Sequence, residues 1–367
     1  MEFIYRFLKK LIWIYAGMRE RISGGWIQKN SSRIREWELM AYAYSKSPIG
    51  VIGGLIVSIT FILAVIGPMI SWEPYWEYKI VINETYRYMP PCLPPSCSGS
   101  PLLGTDEWGR DLLAMSLYGV RISFVISIVV VLLGAPLGII LGLIAGYKGG
   151  LVDEVIMRLT DIFLAFPGLV LAIAFASVLP QRIRGLLESN DLLRAFFAGL
   201  FGLREKEYAQ IAALISIWLA MVIVWWPGYA RIVRGSVLSV RDMPFIEAAK
   251  LSGLSTWSIL FKHILPNVIS PILVMMTFDI ATATLFAAAL SFLGLGPQEP
   301  VPELGFIISK AGYWFPESSS HVVIYLGIVL LTMALGWNLL GDALRDVLDP
   351  RTRRAIEYRL EKKEKRG

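Results

Sequence analysis

Asp279 lies near the middle of an apolar run, with Thr277, Thr282 and Thr284 close by in sequence. An ionised carboxylate at the centre of a bilayer costs about 2.5–3.5 kcal/mol on insertion scales, so such an acid faces protein or water, or carries a proton. Two readings stay open for Asp279 and Thr282: a hydrogen bond between helices, or a place on a translocation path. Asp161, with Arg158 three residues before it, reads as a structural pair at helical spacing. Cys92 and Cys97 stand in PPCLPPSC, far in the chain from His263 and His321, so a four-ligand metal site is not expected. A disulfide between the two cysteines is the expectation if the segment lies outside the cell.

Groups for covalent chemistry are missing. The chain has no G-x-x-x-x-G-K-[ST] loop to hold a nucleotide, no H-E-x-x-H, no G-x-S-x-G and no C-x-x-C-H. No enzymatic activity and no cofactor are expected in the chain itself. No basic-aromatic motif points to nucleic acid.

The elements that must position these residues are membrane helices. The 367 residues are 55% hydrophobic and 17% charged, against about 25% charged in soluble proteins, and mean hydropathy is +0.58. A helix needs about 20 apolar residues to cross the hydrocarbon core. Six segments qualify: Ile49–Ile70, Ile122–Ala145, Val155–Leu179, Tyr208–Pro227, Val268–Phe292 and Val322–Leu340. The predicted fold is therefore all-α and polytopic. An even number of spans puts both termini on one side. With the termini inside, cytoplasmic segments carry 25 Lys and Arg and external ones nine, so the bias places both termini in the cytoplasm.

This topology divides the chain into a cytoplasmic segment 1–47, a six-span domain 48–342 and a basic tail 343–367. An external loop covers 71–117. At the N-terminus, Phe3, Phe7, Leu8, Leu11, Ile12 and Tyr15 recur at helical spacing among Arg6, Lys9 and Lys10. No small-residue cleavage site follows, so the segment reads as an amphipathic helix on the cytoplasmic leaflet rather than a signal peptide. In the second span, Gly134, Gly138, Gly142 and Gly146 share one face. Small residues let membrane helices approach closely, either within this chain or against a partner or moving helix.

A polar insert, 230–267, interrupts the apolar pattern before the fifth span. Its core, EAAKLSGLSTWSILFKHILPN, runs from Glu247 to Asn267. Ala248 and Ala249 favour a slim helix that can seat in a partner's groove. Gly253 allows a positive-φ turn. Leu254 follows it. Pro266 is expected to end a second short helix before the fifth span.

These residues resemble the EAA motif of ABC importer permeases: Glu247-Ala248-Ala249, then Gly253, then Ile264-Leu265-Pro266-Asn267. The similarity extends to Leu103-Gly104-Thr105-Asp106-Glu107-Trp108-Gly109-Arg110-Asp111, to Met157-Arg158-Leu159-Thr160-Asp161 through Phe166-Pro167, and to Trp226-Pro227-Gly228. It continues through Leu290-Ser291-Phe292-Leu293-Gly294 to Leu339-Leu340-Gly341-Asp342. Together they resemble the DppC/OppC-type permease of dipeptide, oligopeptide and nickel importers over about residues 45 to 353.

The resemblance implies a type I importer domain with six spans. It implies pairing with a second, similar permease, two cytosolic ATPases that use ATP and Mg, and an external binding protein that delivers substrate. Glu247, Ala248, Ala249, Gly253, Leu254 and Pro266 would then contact an ATPase. The cargo implied is a peptide, with oligosaccharide or nickel as alternatives within the class. An ion-coupled secondary transporter and a non-transporting scaffold subunit are the readings from other classes.

Overall fold

The computed structural model describes residues 2–79, 84–92, 101–314 and 319–348. The proposed Cys92–Cys97 pairing depends on Cys97, which lies outside the described residues, as does most of the basic tail. Among the described residues the chain is helical, with one isolated bridge between Thr105 and Asp111.

Three helices, α1 (Glu2–Ile22), α2 (Trp26–Lys29) and α3 (Ser31–Lys46), precede α4 (Pro48–Ile70). Ser47 caps α4 by accepting from the Gly50 amide at 3.1 Å, with Pro48 in the first turn, where its missing N–H costs nothing. After the segment that follows α4 come α5 (Leu112–Lys148), α6 (Gly150–Ala165), α7 (Gly168–Ser189), α8 (Asp191–Phe201) and α9 (Tyr208–Val240). Then follow α10 (Pro244–Leu251), α11 (Thr256–Ser258), α12 (Leu265–Phe292), α13 (Leu304–Trp314) and α14 (Ser320–Leu348). Among the described residues, six stretches are long and apolar enough to cross a bilayer: Pro48–Ile70, Leu112–Lys148, Gly168–Ser189, Glu205–Val240, Thr256–Phe292 and Ser320–Leu348.

The third span differs from the prediction of Val155–Leu179. The helix breaks at Phe166-Pro167, and the long apolar helix is α7, whereas α6 is a separate 16-residue helix. Pro167 holds its predecessor in an extended conformation, and Phe166 has φ −88° and ψ 142°. The fourth span also runs past its predicted end, because Pro227 sits inside α9, which continues to Val240.

α5 and α9 form the central pair. The glycine stripe of α5 lies against α9 of the same chain. A Cβ added at Gly142 would stand 2.6 Å from the Ala230 carbonyl oxygen, and one at Gly146 would stand 2.7 Å from Val237 Cβ. The stripe therefore sets an internal backbone approach, as small-residue packing predicts. Side chains fill the space on either side in two clusters. One joins Tyr75, Leu112–Val130, Ile211–Met221, the last turns of α12 and the first half of α14. The other joins Val131–Leu143, Tyr229–Val240, Ile246, Ala249, Ile259–Ile264 and the first half of α12. The polar insert is thus built onto the second cluster.

Candidate coupling surface

The insert begins where α9 ends. Met243 is extended before Pro244, which starts α10. Ile246 and Ala249 turn into the core, while Glu247, Ala248 and Leu251 face outward, Leu251 at 89% exposure. Of the two alanines expected to meet a partner, only Ala248 is on the free face.

The end of α10 is closed by its backbone. The Gly253 amide donates to the Lys250 carbonyl at 3.0 Å, and the Leu254 amide donates to the Ala249 carbonyl at 3.3 Å. Gly253 has φ +72°. This is a Schellman closure, which needs a left-handed residue at the position after the cap. A Cβ on Gly253 would meet nothing within 4 Å, so the glycine is required by its backbone angle and not by crowding.

Ser255 then caps α11, its hydroxyl accepting from the Ser258 amide at 3.3 Å. Trp257 and Phe261 stack at 5.7 Å on the exposed side. Residues Ile259–Ile264 form a π turn that runs straight into α12. Pro266 therefore does not end a helix, contrary to the sequence expectation. It lies in the first turn of α12, and the wider π turn accommodates its missing N–H. The Asn267 side chain amide donates to the His263 carbonyl at 2.7 Å, filling an acceptor at this junction.

The insert is fixed to the spans at three points. Ile246 and Ala249 pack in the core. Arg241 donates to the Gly146 carbonyl at 3.1 Å, and the Lys250 ammonium sits 5.5 Å from the Tyr147 ring centre. These contacts tie α10 to the ends of α5 and α9.

Two interhelical ion pairs extend this contact. Arg234 of α9 grips Asp153 of α6 through two nitrogens, at 2.8 and 2.6 Å. Asp161 pairs with Arg231 of α9, and not with Arg158 on its own helix as its spacing suggested. The pair thus joins two helices rather than two turns of one. Glu154, Met157 and Arg158 complete a cleft of about 460 Å³ there. Asp279 is half-buried and faces Tyr229 and Trp225 of α9. Thr282 is exposed, and its hydroxyl bonds the Phe278 carbonyl of its own helix at 3.1 Å. The two are therefore not brought together in one polar site.

Residues 138–354, which include the whole insert, match the family described as the binding-protein-dependent transport system inner membrane component. The chain belongs to this family. It is similar to the dipeptide transport system permease protein DppC of Alkalihalophilus pseudofirmus, at 33% identity over 318 residues, 87% of this chain and 91% of that protein. The corresponding protein of Haemophilus influenzae is 34% identical over 310 residues, 84% of this chain and 92% of its own length. The glutathione transport system permease protein GsiD of an Escherichia coli strain (O6:K15:H31) is 37% identical over 248 residues, 68% of this chain and 71% of that one.

At the other end of this permease, the segment before α5 holds a buried cation that sequence reasoning passed over. The Arg110 side chain is 1% exposed. It donates to Asp106 at 2.7 Å, to the Tyr75 carbonyl at 2.9 Å and to the Pro300 carbonyl at 2.8 Å, and pairs with Glu299 at 3.2 Å. Asp106 in turn accepts from the Trp108 and Arg110 amides. Asp111 caps α5 by accepting from the Leu113 amide at 2.8 Å. A run of Gly-Arg-Asp at the mouth of a long apolar helix was the available signal. One guanidinium thus ties the segment between α4 and α5 to the loop after α12. Burial raises Glu299 to about 7, against the opposing pull of Arg110. Burial likewise raises Glu303 to about 7, with the Phe306 amide opposing.

Proposed function

We propose that this permease subunit forms half of the path of an ATP-driven importer for short peptides handed over by an external binding protein. The observation that carries the reading is the exposed, backbone-locked insert Pro244–Ser258, anchored to α5 and α9 and built from the EAA-like residues. Relatives named for dipeptide and glutathione transport support the peptide class of cargo.

In this reading the outward residues Glu247, Ala248, Leu251, Leu254 and Trp257 dock on a cytosolic ATPase. A second, homologous permease supplies the other half of the path, and two ATPases supply the energy. The excess of Lys and Arg supports a cytoplasmic position for the insert and both termini. ATP-driven closure of the ATPases moves α10, and Arg241, Lys250 and the core contacts pass that motion to α5 and α9. Arg231 and Arg234 carry it to α6, which is separated from α7 by the break at Phe166-Pro167. A contact drives such a change only if its energy differs between the two states. Asp279, beside Tyr229 on α9, lies on an element that this motion reaches.

The test is reconstitution of the assembled complex in proteoliposomes with its binding protein. ATP-dependent uptake of labelled dipeptide, abolished by omitting the binding protein, is the expected result. Uptake driven by an ion gradient without ATP, or a complex lacking nucleotide-binding subunits, would overturn it.

A further inference from the structure

α1 carries two faces, and among the described residues only one is used by the rest of the chain. Its inner face packs on α3 in an antiparallel hairpin. Tyr5 meets Tyr42 edge-on at 5.5 Å, Lys9 pairs with Glu38 at 3.3 Å, and Trp13 donates to Glu38 at 2.7 Å. Ala16 and Ile34 are buried on this side. The turn into α2 is fixed by Glu20, which accepts from the Gly25 amide at 2.8 Å and the Ile27 amide at 2.7 Å. The hairpin is therefore held in shape by contacts of its own.

The other face is apolar and is left uncovered by the described residues. Phe3, Phe7, Leu11, Ile14, Met18 and Ile22 recur every three or four residues along it, and Phe3 and Ile22 are 80% and 76% exposed. Six large apolar side chains in one row cannot be left in water by a hairpin that is otherwise packed. Arg6, Lys10 and Arg21 occupy the adjoining row, each one position before a member of the stripe, and all three are exposed. Glu2 pairs with Arg6 and Glu38 with Lys9, Glu20 is held by backbone amides and Glu36 lies on α3, so Lys10 and Arg21 keep the outer edge cationic. Only Ser47 separates α3 from the first span, which fixes the hairpin at the edge of the bilayer.

We propose that α1 lies in the membrane interface with this stripe among the acyl chains and with Lys10 and Arg21 on anionic phospholipid headgroups. An apolar stripe with a cationic border suits that surface, and its affinity follows both buried apolar area and lipid charge. The hairpin then acts as a foot that holds the permease against the leaflet. This goes beyond the transport reading and does not depend on it.

The experiment uses the full-length protein with Cys92→Ser and Cys97→Ser and a nitroxide attached at Ile14→Cys. It is placed in nanodiscs of phosphatidylcholine alone, or with phosphatidylglycerol added. Accessibility to oxygen, which enters the bilayer, is compared with accessibility to a neutral water-soluble nickel chelate. A label at Met18→Cys gives an independent second position, and one at Glu36→Cys on exposed α3 is the aqueous control. The expected result is oxygen-dominated relaxation at positions 14 and 18, deeper in the anionic discs, and nickel-dominated relaxation at 36. Lys10→Glu and Arg21→Glu together should remove the difference between the two disc types. Nickel-dominated relaxation at 14 and 18 would overturn bilayer contact. Shielding from both reagents would assign the stripe to a protein surface instead. Equal depth in the two lipids would overturn recognition of headgroup charge. Transport is not measured, so none of these outcomes depends on the cargo.

Discussion

The Leu254 amide closes on the Ala249 carbonyl at 3.3 Å, and Gly253 between them holds φ +72° to allow it. An L-residue with a Cβ pays about 1–2 kcal/mol for that angle, and a β-branched one is the worst case. Gly253→Val should therefore loosen the end of α10 and lower ATP-driven uptake several-fold, while the spans still assemble. Gly253→Asn should retain most of the activity, since Asn tolerates the left-handed region. Uptake and ATPase rates of the two reconstituted variants check this. Equal loss in both would mean that bulk on the surface, and not the angle, is what matters.

Arg110 offers a test of the opposite face. Removing one partner of a buried ion pair typically costs about 3–5 kcal/mol, because the other charge is left uncompensated. Arg110→Ala should strand Asp106 and lower the unfolding temperature markedly in detergent. Arg110→Lys should recover little, since a single ammonium cannot reach Asp106, Tyr75 and Pro300 together. Paired removal with Asp106→Asn should cost less than Arg110→Ala alone.

Glu303 carries a pH signature. Its carboxyl titrates at about 7 in the fold, above the ordinary 4.5, because it is buried. Between those values the folded state binds the extra proton, so stability falls as pH rises through the window and levels above it. Glu299 contributes in the same direction. Melting temperature should therefore drop from pH 4.5 toward pH 7. Glu303→Gln, which keeps an acceptor for the Phe306 amide now bonded at 2.8 Å, should flatten that slope in part. An unchanged slope would remove Glu303 from the account.

Much of this architecture was legible in the sequence, for physical reasons that also mark where legibility stops. Six apolar runs gave the spans because length in hydrocarbon is a one-dimensional property. Gly253 was readable because its constraint is local. The break at Pro167 was also local, and was overrun because the apolar character continues through it. Pairings across the fold left no such trace. Asp161 had a plausible mate three residues away, and the true one, Arg231, lies 70 residues on. Arg110 meets Glu299 at a separation of 189. Which of Ala248 and Ala249 faces out depends on how α10 sits on the ends of α5 and α9.

The glycine stripe gives a steric prediction. A Cβ at Gly142 would lie 2.6 Å from the Ala230 carbonyl oxygen and 2.7 Å from Val233 Cβ, both on a helix that cannot yield locally. Overpacking of this kind costs about 1–3 kcal/mol. Gly142→Ala should already lower thermal stability, and Gly142→Leu should lower it further. Gly235, where an added Cβ meets nothing within 4 Å, is the control: Gly235→Ala should be neutral or stabilising in α9.

The pair Asp153–Arg234 tests whether α6 is carried by α9. Arg234 holds Asp153 through both nitrogens, with side chains 35% and 17% exposed. Arg234→Asp places like charges together and should reduce coupled uptake. Asp153→Arg alone should do the same. Combining the two substitutions restores opposite charges across the same gap, and residues in contact show interaction energies of about 0.5–3 kcal/mol in such cycles. The double variant should recover uptake at least several-fold over either single one, with ATPase activity rising in step. If the two losses simply add, the ion pair does not transmit motion to α6, and the link must run through Phe163 against Trp226, whose rings meet edge-on at 5.4 Å.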